Sequence, residues 1–349
     1  MKKFDYQDFK QIPLPTEKEV MLNWEPSTNS PLVSVLCTTF NQQIYIEDAI
    51  HGFLIQKTEF PFEIVIHDDA STDSTPDILK EYAKRYPQLI KLVLQKENQY
   101  SQGKRVFSIA AKYAEGEYLA FCEGDDFWID SNKLSHQKNI FDSNPKCSLV
   151  VHQCLQMRGD HINPKPAMGH GSEQRDIGKS EVVSFPYQFS PTASYLIKAN
   201  IFDILPDWYQ TAPVGDYFLE SYSFKLGDVI YSPCTFSVYR RQAEGSWTVD
   251  TNESGEKLKK FSLKMYKSLE LMKKDPFFSD SNIEKKMAAS LFGAAKGALL
   301  EHDFIEFQEN IKKSVLMHKR SSHFQKLLFL LRRFPLFARF MLVTYKKLV

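Results

Sequence analysis

The stretch EYLAFCEGDD, residues 117–126, changes character partway along. It begins as an apolar, strand-like run and ends as three carboxylates around one glycine. A buried strand that runs straight into acids reads as the carboxyl end of a strand in a parallel sheet. The residues before it repeat that design. LVSVLCTTF (32–40) is a β-rich apolar run between Pro31 and Asn41, and IYIEDAIHGFLIQ (44–56) carries apolar residues at 46, 49, 50, 53 and 54, a helical period. FEIVIHDD (62–69) is a second strand. STPDILKEYAKRYP (74–87) is a helix with Ser74 or Thr75 as N-cap, Pro76 in its first turn and Pro87 beyond its end. IKLVLQ (90–95) is a third strand, and KRVFSIAAKYAEG (104–116) a helix closed by Gly116. Strands alternating with helices predict an α/β fold with a mostly parallel sheet and right-handed crossovers. Ligands of such sheets bind beyond the carboxyl ends of the strands. TTFN, DDAS and EGDD follow strands one, two and four, so they are expected to share one rim.

Asp68, Asp69, Glu123, Asp125 and Asp126 on one rim would repel one another unless a cation joined them. One or two carboxylates completed by waters and substrate phosphates is the usual arrangement for Mg²⁺, and hard oxygen ligands suit Mn²⁺ equally. A solvated acidic loop is the bland reading of one Asp-Asp pair. Two such pairs at the ends of neighbouring strands favour the cation.

The segments PLVSVLCTTFNQQIYIEDAI, FEIVIHDDASTDSTPDIL and AEGEYLAFCEGDDFW resemble, in order and spacing, family 2 of the inverting glycosyltransferases, whose Rossmann-like fold is called GT-A. The resemblance is specific over 31–150 and weaker to about 250, through VGDYFL and VYRRQAEGSWT. It implies a nucleotide-sugar site in which Thr38, Phe40 and Glu47 line the base pocket. Asp69, with Asp68 beside it, would read the uracil or its ribose. Glu123 would face the ribose and Asp125 would ligate Mn²⁺ or Mg²⁺, with Gly124 letting the backbone approach. Asp126 and Trp128 would line the sugar pocket. Arg240 and Arg241 would lie near the diphosphate, with Trp247 near the sugar, and Lys104 and Arg105 could touch phosphate. Asp216 matches the catalytic base. The chain departs from the family pattern at Glu123, usually Asp, at Gly215, often Glu, and at Gln242, often His. The implied reaction is a single in-line displacement that inverts the anomeric carbon. It moves sugar from a nucleotide-diphospho-sugar donor, UDP by family habit, to a glycan or lipid-linked glycan acceptor in surface polysaccharide synthesis. A non-catalytic sugar or nucleotide binder on the same fold and a sugar nucleotidyltransferase are the competing readings. The second lacks its glycine-rich loop here, where TTFNQQ stands instead.

The expected organisation is an N-terminal extension (1–30), a glycosyltransferase domain (31–250, with a nucleotide-sugar half to 150 and an acceptor half after it), and a helical region (251–349). Residues 155–185 read as a polar loop. A formal net charge of +1 conceals an asymmetry. Residues 311–349 hold ten Lys or Arg and no Asp or Glu, leaving a net of −9 on the rest. In the tail, 324–349, bulky apolar residues alternate with this basic charge, the composition of a helix at an anionic membrane surface. Packing against the chain itself or a second subunit, as a homo-oligomer, is the alternative. No 18-residue apolar span and no secretory leader is visible, and the five cysteines show no C-x-x-C spacing. A cytoplasmic protein with reduced thiols, peripheral on the inner face of the cell membrane, is expected. No H-E-x-x-H or G-x-G-x-x-G occurs, and GKS at 178–180 lacks the earlier glycine of a phosphate loop. No nucleic-acid partner is indicated.

Overall fold

The structure is a computed structural model that describes residues 4–24, 30–243, 254–279, 282–318 and 322–348, excepting the side chains of 346–348. Trp247, expected near the sugar, lies outside the described residues. The chain forms two compact units. The first comprises 1–177, 189–211 and 218–245; the second comprises 178–188, 212–217 and 246–349.

The first unit is a mixed α/β layer structure. Its strands are β1 (Val33–Thr39), β2 (Phe62–Asp68), β3 (Ile90–Leu94), β4 (Tyr118–Glu123), β5 (Phe127–Trp128), β6 (Cys147–Arg158), β7 (His161–Ala167), β8 (Arg175–Ile177), β9 (Leu196–Lys198) and β10 (Asp228–Arg240). They form one sheet in the order β3-β2-β1-β4-β9-β6-β10-β5, with β7 on β6 and β8 on β10. Strands β3, β2, β1 and β4 are mutually parallel, as the alternating pattern requires. β9 enters antiparallel between β4 and β6, and β10 runs parallel to β6, so the second half of the sheet is mixed.

The α-helices among the described residues are α1 (Tyr6–Lys10), α2 (Glu17–Val20), α3 (Ile46–Leu54), α4 (Thr75–Arg85), α5 (Val106–Ala111), α6 (Lys133–Ser143), α7 (Lys179–Ser184), α8 (Ile201–Ile204), α9 (Asp216–Ser223), α10 (Gly255–Lys273), α11 (Ile283–Leu300), α12 (Phe304–Met317), α13 (His323–Leu330) and α14 (Pro335–Leu348). One core buries Val33, Val35 and Cys37 of β1, Ile64 and Ile66 of β2, and Ala49, Ile50 and Phe53 of α3. The odd residues of β1 face α3, so Thr38 and its strand neighbours His67 and Glu123 point to the other face. α4 takes its cap from Asp73, whose Oδ1 accepts from Thr75 N at 3.0 Å, and Ser74 makes no side-chain cap. α5 ends at Ala111, so Gly116 closes no helix; its amide donates to Ser34 Oγ at 2.8 Å. The stretch expected as a polar loop, 155–185, holds the end of β6 and all of β7 and β8. β7 pairs only with β6, and its residues stay largely exposed, which is why its sequence is polar.

The second unit is helical. Leu299 of α11, Phe307 and Ile311 of α12, Leu328 of α13 and Ala338 and Leu342 of α14 share a core. The tail therefore packs within its own unit, with Pro335 opening α14 at its first turn. It does so along one face only. Leu336, Phe337 and Phe340 of α14 and Phe334 before it are each more than half exposed. Among the described residues, no helix is long and apolar enough to cross a membrane.

Candidate functional site

The loops after β1 and β2 are built against each other. Asn41 N donates to Ser71 Oγ at 2.8 Å, and Asn41 Oδ1 accepts from Thr72 N at 2.7 Å. Gln43 N donates to Asp73, and Ser74 N to Gln43 Oε1. Residues of TTFNQQ and DDASTDS thus complete one another's backbone hydrogen bonds at the rim. The two carboxylates at the end of β2, Asp68 and Asp69, are committed to this framework. Asp68 accepts from Ser71 N and Oγ, at 3.1 and 2.5 Å. Asp69, only 3% exposed, accepts from Gln99 N at 2.7 Å and Tyr100 N at 2.9 Å. The carboxylate expected to read a base instead fixes the loop after β3. That loop carries Lys104, bonded to Gln99 Oε1 at 2.6 Å, and Arg105, 6.0 Å from the Tyr100 ring centre. Burial outweighs the Ser71 hydrogen bonds and raises the Asp68 pKa.

The acid turn follows β4. Gly124 N donates to Thr38 O at 2.9 Å, and Asp126 N to Glu123 O at 3.0 Å. A Cβ at Gly124 would lie 2.5 Å from Gln42 Oε1 and 2.9 Å from Thr39 Oγ1, so any larger residue there would have to displace both side chains. Asp125 is surrounded by protein yet remains open to solvent, and burial raises its carboxyl above the usual range, against its own backbone, Arg240 and the Gln42 side chain. Asp126, 1% exposed, is pushed well up by burial and by Asp125 and Glu123. Its Oδ1 accepts from Arg240 N at 2.9 Å, while Oδ2 has no partner among the described residues. An orphaned carboxylate oxygen beside two further acids fits a hard divalent cation, with phosphate and water supplying the remaining ligands. Among the described residues no three His, Cys, Asp or Glu groups form a metal cage by themselves, and a cation shared with a diphosphate needs none. Ligation would also draw off the protons that burial retains.

Several expected residues stand elsewhere. Trp128 is fully buried, its Nε1 donates to Ala193 O at 2.9 Å, and it packs edge-on against Phe53, so it is a core residue and lines no open pocket. Arg240 is 5% exposed and its guanidinium turns inward to Asp48 and to Asp125 O, which leaves it committed within the protein rather than reaching outward to a diphosphate. Arg241, the next residue, is exposed, and its amide donates to Met157 O. The Glu47 carboxylate accepts from Tyr82 of α4 at 3.3 Å; burial, and then this carboxylate, push that phenol up to about 12. Phe40 is 45% exposed just past β1. The register therefore gathers Thr38, Asp68, Asp69 and residues 123–126 along one rim, with Phe40, Lys104 and Arg105 on the loops that follow. Asp216 belongs to the second unit, where it opens α9 and its Oδ1 accepts from Tyr217 N at 2.7 Å.

Two groups escaped sequence reasoning. His67, in line with Thr38, is wholly buried, has no partner at either ring nitrogen and is held neutral by burial. Its only signal was its place just before Asp68. Lys133 of α6 is also wholly buried, 4.0 Å from the Trp128 ring centre and 2.7 Å from Gln137 Oε1, with its pKa lowered to about 7 by desolvation.

Residues 34–195 match the family model "Glycosyl transferase family 2". The chain is 36% identical over 219 residues to the Mycobacterium tuberculosis protein Rv1520, covering 62% of this chain and 60% of that one. It is 34% identical over 175 residues to poly(ribitol-phosphate) beta-N-acetylglucosaminyltransferase TarS of Staphylococcus aureus, covering 48% of this chain and 28% of TarS. The solved TarS fragment 1–349 in complex with UDP-GlcNAc superposes with a TM-score of 0.64 at 15% identity, over 90% of this chain and 91% of that one. The mannosyltransferase PcManGT of Pyrobaculum calidifontis, solved with GDP-Man and Mn²⁺, gives 0.53 at 16% identity, over 97% and 92%. These likenesses establish the shared GT-A architecture.

Proposed function

We propose that this chain, which belongs to glycosyl transferase family 2 through residues 34–195, transfers a sugar from a nucleoside-diphosphate donor to a hydroxyl of a glycan or lipid-linked glycan. The observation that carries this reading is the rim on which the loops after β1 and β2 interlock beside an acid turn with an unpartnered buried carboxylate oxygen. UDP is the proposed nucleotide, in line with the TarS complex with UDP-GlcNAc. Mn²⁺ or Mg²⁺ is proposed at Asp125, with Glu123 and Asp126 beside it. When bound, the cation would stabilise negative charge on the departing diphosphate. Lys104, Arg105 and Arg241 are proposed to face the same phosphates. Thr38, Phe40 and the loop fixed by Asp69 would hold the nucleoside.

Asp216 is proposed as the base. Its carboxylate takes the proton from the acceptor hydroxyl as the oxygen attacks the anomeric carbon opposite the diphosphate, so the configuration inverts. General-base help of this kind is worth ~10²–10⁴-fold. The test is a panel of UDP-, GDP- and dTDP-sugars, with and without Mn²⁺, followed by Asp216→Asn. No turnover of any donor refutes the reaction, and a wild-type rate in Asp216→Asn refutes the base.

The tail is proposed to hold the chain at the cytoplasmic face of an anionic membrane, where a lipid-linked acceptor would be presented. Exposed Phe337 and Phe340 together with ten basic and no acidic residues from 311 onward support this. Truncation would remove the packed Leu328 and Leu342, so Phe337→Ser with Phe340→Ser is the informative variant. Equal flotation of both proteins with phosphatidylglycerol vesicles would reject the role.

A further inference from the structure

The acid turn is held from behind by residues beyond the family-matched segment. Tyr6, the first residue of α1, donates its hydroxyl to Asp48 Oδ2 at 2.6 Å. Asp48 pairs with the guanidinium of Arg240, which also lies 3.3 Å from the Tyr6 hydroxyl. Arg240 then holds the turn at two points. Its Nη1 donates to Asp125 O at 2.8 Å, and its backbone N donates to Asp126 Oδ1 at 2.9 Å. All four side chains of this relay are buried: Tyr6 8%, Asp48 8%, Arg240 5% and Asp126 1% exposed. Phe127 lies 4.5 Å beneath the guanidinium and 5.0 Å from Phe9 of α1, so the arm packs onto the residue that follows the acids.

We infer that Tyr6 and Asp48 are positioning residues of the acid turn. Through the Arg240 guanidinium they fix where the Asp125 carbonyl stands, beside the Asp126 carboxylate that the Arg240 backbone amide holds, and so set how well the turn receives a cation and diphosphate. The physical argument rests on geometry. A guanidinium is a rigid planar fork whose donors point in fixed directions. The guanidinium can hold the Asp125 carbonyl only while Asp48 fixes the rest of the fork, and Asp48 is itself oriented by the Tyr6 hydroxyl; the bond to Asp126 comes from the Arg240 backbone on β10. Sites that recognise small charged groups tolerate displacements of only about 0.5 Å. Asp48 makes this contact from α3, one residue after Glu47, the residue the family resemblance points to. Its consequence for ligand binding rests on the function proposed above.

Tyr6→Phe removes one hydroxyl and keeps the ring against Phe127. The amides of Gly124 and Asp126 are hydrogen-bonded within the turn and report on it directly. In the unliganded protein, Tyr6→Phe should speed their hydrogen exchange about tenfold, the factor one hydrogen bond to a charged group supplies. Its unfolding temperature should change little. Calorimetry with UDP and Mn²⁺ should show a dissociation constant raised by a similar factor. Asp48→Asn, which leaves Arg240 without its counter-charge, should do more in both measurements. Exchange at the turn unchanged in both variants overturns the clamp, whatever happens to thermal stability. Faster exchange with unaltered affinity overturns its link to ligand binding. The exchange measurement needs no ligand, so a wild-type chain that binds no UDP would sink the proposed function and leave the clamp standing or falling on its own result.

Discussion

Replacing Lys133 with methionine should change how stability depends on pH. Lys133 is fully buried, and desolvation lowers its pKa from the ordinary 10.5 to about 7. Among the described residues its ammonium has no carboxylate partner to offset this and meets the Trp128 face and the Gln137 oxygen. Between these two pKa values the unfolded chain holds a proton that the folded chain releases. Stability therefore rises with pH, being fully gained above the unfolded pKa and lost as pH falls through the folded one. Where the folded lysine is neutral and the unfolded one charged, the slope approaches about 1.4 kcal/mol per pH unit. Half-titration near neutrality reduces the gain from about pH 7 to about pH 9 to roughly 2 kcal/mol. His152, held well below its usual range by burial, and Cys122, held well above, are present in both proteins, so their share of the pH dependence cancels in the difference. Lys133→Met keeps the length of the side chain and removes the titration. Urea unfolding followed by tryptophan fluorescence, on both proteins across that range, gives the comparison. The wild type should gain on the variant by roughly 2 kcal/mol as pH rises, on top of a constant offset from the lost Gln137 contact. A stability difference that stays flat, or shrinks, would refute the reasoning.

Gly52→Ala should lower the unfolding temperature, because the new Cβ would lie 2.6 Å from Trp128 O and 2.8 Å from Trp128 N; overpacking of this kind costs about 1–3 kcal/mol. Asp125→Asn should reduce Mn²⁺-supported sugar transfer by about 100-fold or more, with Mn²⁺–UDP binding weakened in parallel. Of the five cysteines, four are buried and Cys234 is partly exposed, so a thiol reagent on the native chain should modify Cys234 alone and reach all five in urea. Mass spectrometry of the labelled peptides checks this.

The first half of the sheet was legible because β1, β2 and β3 are each followed by a helix that leads into the next strand, and that alternation leaves few arrangements open. β7 was illegible for the same physical reason that makes it polar: an exposed strand at the margin has no apolar face to advertise. At the site, the sequence marked the acid turn and the loops after β1 and β2, since carboxylates and small polar residues cluster there. It did not tell which carboxylates were already engaged. Asp69 is spent on amides thirty residues away, and only the fold reveals that. The family resemblance placed Trp128 on the wall of the sugar pocket. β5 instead pairs with β10 and buries it. Arg240 looked like a phosphate ligand because its counter-charge, Asp48, lies 192 residues earlier.

That long reach has a consequence for how the molecule is made. Residues 34–195 contain every carboxylate of the acid turn, yet the cation that anchors it is residue 240 and the hydroxyl that orients its partner is residue 6. On the ribosome the acids emerge and stay mutually repelling until more than a hundred further residues have been added. The fastening of the site therefore depends on contacts of high sequence separation, and slow closure is expected of such contacts. A fragment cut to the matched segment would contain the acids without the fastening that holds them in place.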